Sequence, residues 1–301
     1  MTVTLAIKDA IVAPRHAGEP LGIIAGGGDL PRLVAEQARL HGWTPKILAV
    51  GDGIGESWLP EDAWPMAWGR LGDAFAYLKG RSVRRLVLCG TVSVRPDFRS
   101  ILPSLRTLAM LPQIFRVIRG GDDNLLRAAA RAFEQRGFEL VAVQEILPEL
   151  LMPPGGVSCG APGQDDRAAL RRGFQAAGVL GALDVGQAVV ASKDRVIALE
   201  GIEGTREMLQ RVADLRRRGR IGSAEHCVLV KGVKPGQDLR FDLPSIGVST
   251  IEEAAEAGLV GIGLSAGHAL VIGLDDVTAA ARARRIFLWG WTDADSARTG
   301  P

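Results

Sequence analysis

Through the first half of the chain, short apolar runs rich in β-branched residues alternate with segments whose apolar positions recur at helical spacing. Runs over 21–25, 46–50 and 86–89 read as strands, with helices over 31–40 and 73–78 between them. A helix over 125–136 follows Gly120-Gly121-Asp122-Asp123, where an aspartate can accept from free N–H groups, and it stops at Gly137. A last strand is expected over 138–143. Strand and helix units of this size predict a Rossmann-like parallel sheet with helices on both faces.

The pattern changes over 148–163, where prolines stand at 148, 153, 154 and 162 and glycines at 155, 156, 160 and 163. Such punctuation marks a linker. Beyond it, helices are expected over 167–177, 205–215 and 251–257, a strand pair over 188–191 and 196–199, and further strands over 227–231, 259–261, 269–272 and 287–289. The fold expected is therefore two α/β domains: a disordered extension 1–20, an N-terminal domain 21–150, a linker 151–165 and a C-terminal α/β domain 166–295.

Composition narrows the function classes. The 301 residues carry 36 basic and 34 acidic side chains, a net charge of +2, so no basic face for a phosphate backbone is expected. Nucleic acid is thereby excluded as an expected partner. Three scattered cysteines, Cys89, Cys159 and Cys227, make neither a disulfide framework nor a zinc cluster, which fits a reducing compartment. Residues 1–20 lack a signal-peptide pattern, and no window holds about 18 consecutive apolar residues.

Several motifs carry candidate chemistry. Gly26-Gly27-Gly28-Asp29 lies between a strand and a helix, where glycines let the backbone approach a phosphate at a helix N-terminus, and a plain tight turn explains the run equally well. Pro31 occupies the third glycine place of a dinucleotide fingerprint, which leaves a nicotinamide-dependent (NAD) oxidoreductase as a weak alternative. Gly263-Leu264-Ser265-Ala266-Gly267 matches a nucleophile elbow in letters, but a strand rather than a helix is expected after it, so it reads as a turn. The histidines at 16, 41, 226 and 268 lack metal-ligand spacing, and no Walker A lysine motif is present. The richest stretch runs from Lys231 to Gly247, with Lys231, Lys234, Gln237, Asp238, Arg240 and Asp242 in a Pro/Gly-punctuated loop after an apolar strand. Cations there can neutralise phosphate oxygens, and a carboxylate can bind Mg²⁺ or position a water; on composition alone a solvated loop explains the stretch somewhat better.

Taken in order, Leu21-Gly22-Ile23-Ile24-Ala25-Gly26-Gly27-Gly28, Val92-Ser93 with Arg95-Pro96-Asp97-Phe98, Gly121-Asp122-Asp123, Asp184-Val185-Gly186-Gln187, Glu203-Gly204-Thr205 and Asp242-Leu243-Pro244-Ser245-Ile246-Gly247 resemble the LpxI-type UDP-2,3-diacylglucosamine pyrophosphatase family. The likeness covers the chain from about Leu21 to about Trp289. It implies a cytoplasmic Gram-negative enzyme of lipid A synthesis that uses Mg²⁺ to hydrolyse UDP-2,3-diacylglucosamine to UMP and 2,3-diacylglucosamine 1-phosphate, lipid X. It further implies an active site between two α/β domains and water attack on the sugar-side phosphorus. Asp242 takes the place of the essential aspartate and metal ligand, while Gly28, Thr91, Asp123, Gln187, Thr205 and Lys231 would line the substrate site. Two departures touch one turn: Thr91 stands where the family often has Asn, and Val94 is an extra residue before Arg95. The apolar stretch 105–119, with Arg106, Arg116 and Arg119 interspersed, suggests peripheral contact with the inner membrane, although a buried helix with exposed arginines suits it better. A homodimer is compatible with this reading, and a non-catalytic carrier of nucleotide or lipid is the remaining alternative.

Overall fold

The apolar runs near the N-terminus form the middle of a parallel sheet. In a computed structural model, which describes residues 11–92, 104, 107, 122–240 and 242–297, the chain divides into two compact units. The first comprises Met1–Glu149 with Asp238–Asp242, and the second Leu150–Gln237 with Leu243–Pro301.

In the first unit, β1 (Pro20–Ala25), β2 (Thr44–Val50), β3 (Trp64–Met66), β4 (Arg85–Cys89) and β5 (Glu139–Leu140) lie in the order β3-β2-β1-β4-β5, all parallel. Parallel strands covered on both faces need near-continuous apolar sequence. Accordingly Leu21, Ile23, Ala25, Leu48, Ala49, Leu86 and Val87 are wholly buried. Among the described residues the unit also holds helices α1 (Asp29–Leu40), α2 (Leu71–Gly80), α3 (Asp122–Glu134) and the single turn α4 (Val143–Ile146). One core joins α2 and α3 to the sheet, with the Phe75 ring centroid 5.0 Å from that of Phe133 and 6.1 Å from that of Phe138.

Two expectations need correction here. The strand expected over 138–143 pairs only at Glu139–Leu140, because the Ala142 N–H donates to the Glu145 carboxylate at 2.7 Å and opens α4. The extension expected over 1–20 is held along part of its length. The Val12 N–H donates to the Glu145 carbonyl (2.9 Å), Arg85 Nη1 to the Ala13 carbonyl (3.0 Å), and Arg15 pairs with Glu139 (3.0 Å). Such bonds join residues far apart in sequence and leave no periodic trace. Finally, β3 was not anticipated: three residues containing Pro65 suit a sheet edge, where one strand side needs no ladder N–H. The stretch 105–119, apart from Thr107, lies outside the described residues.

The second unit begins with β6 (Gly155–Gly156) and α5 (Gln164–Ala182), followed by β7 (Ala188–Ala191), β8 (Val196–Leu199), α6 (Gly204–Arg217) and β9 (Val228–Lys231). Then come β10 (Ser245–Ile246), α7 (Val248–Glu256), β11 (Gly261–Ser265), β12 (Leu270–Val271), α8 (Leu274–Arg284), β13 (Phe287–Trp291) and α9 (Asp293–Ala297). Its main sheet has the order β6-β13-β11-β9-β7-β8, with β9, β11 and β13 parallel and the rest antiparallel to their neighbours. Strand side chains alternate between the two faces. Val189, Ala191, Val228 and Val230 pack with α5, while Ala188, Val190 and Leu229 pack with α6, α7 and α8. The strand expected over 259–261 starts later, since the Leu259 N–H still closes the end of α7 on the Ala254 carbonyl.

An ion pair secures the approach to β9. Arg195 binds Glu225 through two bonds of 2.8 and 3.1 Å, and Glu225 also accepts from the Gly222 N–H. Chiefly through Arg195, the Glu225 carboxyl is pulled from its ordinary 4.5 to about 2. A carboxylate depressed in the folded state stabilises fully above its unfolded value and loses that contribution as pH falls through the folded one. The expected result is that Glu225→Gln melts about 1–3 °C below wild type at pH 7. Calorimetry across pH 7 to 2 should show the gap closing between about 4.5 and 2.

Candidate active site

In the first unit the chain leaves β1 toward β2 and β3, then returns to the other side of β1 with β4 and β5. Open α/β sheets bind ligands outside the carboxyl ends of strands at such a reversal. Gly26-Gly27-Gly28 leaves β1 there, and Thr91 leaves β4 beside it. Gly27 and Thr91 exchange two backbone hydrogen bonds of 2.8 and 2.9 Å. A Cβ on Gly26 would sit 2.5 Å from the Thr91 carbonyl oxygen, so only glycine permits this approach. Gly28 caps α1 at φ +89°, with open space where a side chain would project.

The glycine run spends its donors inside the protein. The Gly26 N–H donates to the Cys89 carbonyl (2.9 Å), that of Gly27 to the Thr91 carbonyl, and that of Gly28 to Glu56 Oε1 (2.8 Å). A dinucleotide-binding turn would aim such groups at a pyrophosphate. This weakens the nicotinamide reading, and any anion seeking the Gly28 donor competes with Glu56. Asp123 lies in the first turn of α3, and its side chain is outside the described atoms.

The loop richest in candidate chemistry is tied down over 238–240, a segment that groups with the first unit. Arg240 grips Asp238 (2.7 Å) and Glu134 at the end of α3 (2.6 Å). The Val143 N–H donates to the Arg240 carbonyl (3.3 Å), and Gln144 Nε2 to the Leu239 carbonyl (2.8 Å). Arg240 holds the Asp238 carboxyl below the usual carboxylate range. Asp242, two residues on, is half-buried.

The second unit gathers two of the expected residues, Gln187 and Thr205, around one carboxylate. Antiparallel pairing sets Ala188 of β7 opposite Lys231 of β9, and the Gly232 N–H donates to the Gln187 carbonyl (3.0 Å). Glu200, just past β8 and 8% exposed, accepts from the Gln187 N–H (2.9 Å) and the Ala188 N–H (3.0 Å) on Oε2. On Oε1 it accepts from the Thr205 hydroxyl at 2.6 Å. Lys231 is buried at the end of β9, and its Nζ donates to the Ser245 carbonyl (2.9 Å). Burial pushes the Lys231 pKa down, with Glu200 and Glu253 opposing the shift. Nearby, Lys234 pairs with Asp184 at 2.9 Å, which accounts for the first residue of the 184–187 motif.

Sequence reading missed Glu200 and Glu56. Glu56 lies 28 residues from the group it caps, with no local signal. Glu200 was within reach: pairing Leu199 with Val189 sets it opposite Ala188, so a charged side chain there faces the start of a buried strand. The elbow-like sequence is settled as a turn, since β11 ends at Ser265 and the next element is β12, not a helix. Among the described residues no cluster of three His, Cys, Asp or Glu could cage a metal, and no helix is long and apolar enough to cross a membrane.

Comparison with known proteins agrees with the two-unit architecture. Residues 20–150 match the model of the LpxI N-terminal domain, and residues 153–289 that of the LpxI C-terminal domain. The chain belongs to the LpxI family. It is also 38% identical over 272 residues to the UDP-2,3-diacylglucosamine pyrophosphatase LpxI of Caulobacter vibrioides, covering 90% of this chain and 96% of that protein. In LpxI terms, the N-terminal match holds Gly28, Thr91 and Asp123, and the C-terminal match holds Gln187, Thr205, Lys231 and Asp242.

Proposed function

We propose that this protein hydrolyses the diphosphate of UDP-2,3-diacylglucosamine, releasing UMP and 2,3-diacylglucosamine 1-phosphate. The observation that carries the reading is near-full-length similarity to a relative bearing that activity in its name. A chain matched over 96% of that relative has room for the whole reaction rather than one module of it. The loop leading to Asp242 supports the reading independently, because Arg240 and the α3–α4 region fix its backbone just before the carboxylate.

In the reaction, a water oxygen bonds to the sugar-side phosphorus and the bridging P–O bond breaks, with the bridging oxygen leaving on UMP. Asp242 orients the water or holds the metal, and Lys231 meets negative charge on the phosphates. The described residues offer no protein cage for Mg²⁺, yet one carboxylate plus substrate phosphates is an ordinary way to hold it. Asp242 would be that carboxylate. Bound there, the ion would neutralise charge on the diphosphate oxygens. The work would take place in the cytoplasm of a Gram-negative bacterium, at the inner membrane surface where an acylated substrate resides. A homodimer is part of the same proposal.

The test is release of UMP and lipid X from UDP-2,3-diacylglucosamine by the purified protein, with Mg²⁺ and with EDTA. Metal-dependent release supports the reading. Binding without turnover under any divalent cation replaces it with a carrier of nucleotide or lipid.

A further inference from the structure

The polarity of the Gln187–Thr205 corner is set by Glu200. A hydroxyl has one proton to donate and two lone pairs that accept. The Thr205 proton is spent on Glu200 Oε1 at 2.6 Å. That carboxylate is in turn pinned by the Gln187 and Ala188 N–H groups at 2.9 and 3.0 Å, and it is buried, so it does not swing away. Toward anything outside the protein, Thr205 can therefore only accept. Gln187 Oε1 is also buried, with no hydrogen-bond partner among the described residues. Buried polar atoms without partners are uncommon in folded chains, and a ligand donor is one way to satisfy them.

We infer that Glu200 is a positioning residue that makes this corner of the site a receptor for an O–H or N–H donor of the substrate, not for a phosphate oxygen. The inference rests on the proposed reaction. UDP-2,3-diacylglucosamine carries such donors on its glucosamine ring, on its ribose and at uracil N3, whereas its diphosphate oxygens only accept. An acceptor fixed beside a carboxylate repels the diphosphate and selects a donor-bearing part, which fixes the substrate's register while Lys231 is left to the phosphates.

The experiment couples protein variants to substrate analogues. Thr205→Val should raise KM for UDP-2,3-diacylglucosamine roughly three- to tenfold with kcat within about threefold, while Thr205→Ser, which keeps the hydroxyl, stays near wild type. Glu200→Gln, whose amide N–H₂ would donate to Thr205 and free its proton, should raise KM by a similar factor. Combined with Thr205→Val it should add little more. Kinetics are then repeated with 4-deoxy and 6-deoxy glucosamine, 2′-deoxy and 3′-deoxy ribose, and N3-methyl uracil analogues. Wild type should lose affinity for one of these, and Thr205→Val should show no further loss with that analogue, which names the donor. Should Glu200→Gln fail to fold, the Val and Ser variants at 205 still decide. If wild type turns over substrate but no analogue couples to Thr205→Val, or if Val and Ser behave alike, the inference is overturned and the proposed reaction stands. A wild-type protein that hydrolyses nothing overturns both.

Discussion

Asp242→Asn is expected to lower kcat for UDP-2,3-diacylglucosamine hydrolysis by about 1,000-fold while the melting temperature stays within about 2 °C of wild type. The substitution keeps size, shape and one acceptor oxygen and removes only the negative charge. That charge is what a hard cation or an attacking water needs, because an amide neither takes a proton at neutral pH nor binds Mg²⁺ as a carboxylate does. Stability should change little, since asparagine keeps the shape of this half-buried side chain and the backbone just before it is anchored by Arg240, Gln144 and Val143. Steady-state kinetics beside a thermal melt separate the two effects. A variant within tenfold of wild type would remove Asp242 from the chemistry. A variant that melts far lower would mean that its carboxylate holds the loop.

How much of this was legible in the chain depends on whether the cause was local. The strands β1, β2, β4, β7 and β9 could be read because a buried strand needs uninterrupted apolar residues, as in Leu86-Val87-Leu88-Cys89. Helix α3 could be read from its helical spacing and the glycine that ends it. What escaped were elements defined by partners distant in sequence. Strand β10, two residues long, is one: it pairs with β12, which lies inside the strand expected over 269–272, and the Leu270 N–H finds the Pro244 carbonyl. The order of residues 11–19 comes from bonds to Glu145, Arg85 and Glu139.

The candidate site divides along the same line. Gln187 and Thr205 came from an ordered set of short motifs, and their convergence is visible only once Glu200 is seen beneath them. Glu200 itself carries no motif value as a lone glutamate after an apolar run. It acquires meaning from the antiparallel register that sets it against the first N–H groups of β7. Likewise the glycine run advertised a phosphate cradle, but hydrogen bonds to Cys89, Thr91 and Glu56 occupy its donors.

Lys231→Met is the second large effect expected, and it pulls binding and stability in different directions. An ammonium at 8% exposure has given up most of its hydration, which is why its pKa is lowered despite Glu200 and Glu253. Methionine fills similar volume without that penalty, although the Ser245 carbonyl loses its 2.9 Å donor. The two changes offset, so the variant should melt within a few degrees of wild type at pH 7. Substrate affinity has no such compensation: loss of a charge-assisted contact to phosphate should raise KM about 10- to 100-fold. The pH dependence supplies the sign. With a folded pKa below the ordinary 10.5, the unfolded chain binds more protons than the native one in the window between those values, so wild-type stability rises with pH there. Met lacks that linkage. Melting curves of both proteins from pH 7 to 10 should therefore show wild type gaining on Lys231→Met as the solution becomes alkaline. A gap that moves the other way would mean that Lys231 is held as a stabilised cation by its carboxylates, and its low exposure would then reflect a structural ion pair rather than a charge kept ready for phosphate.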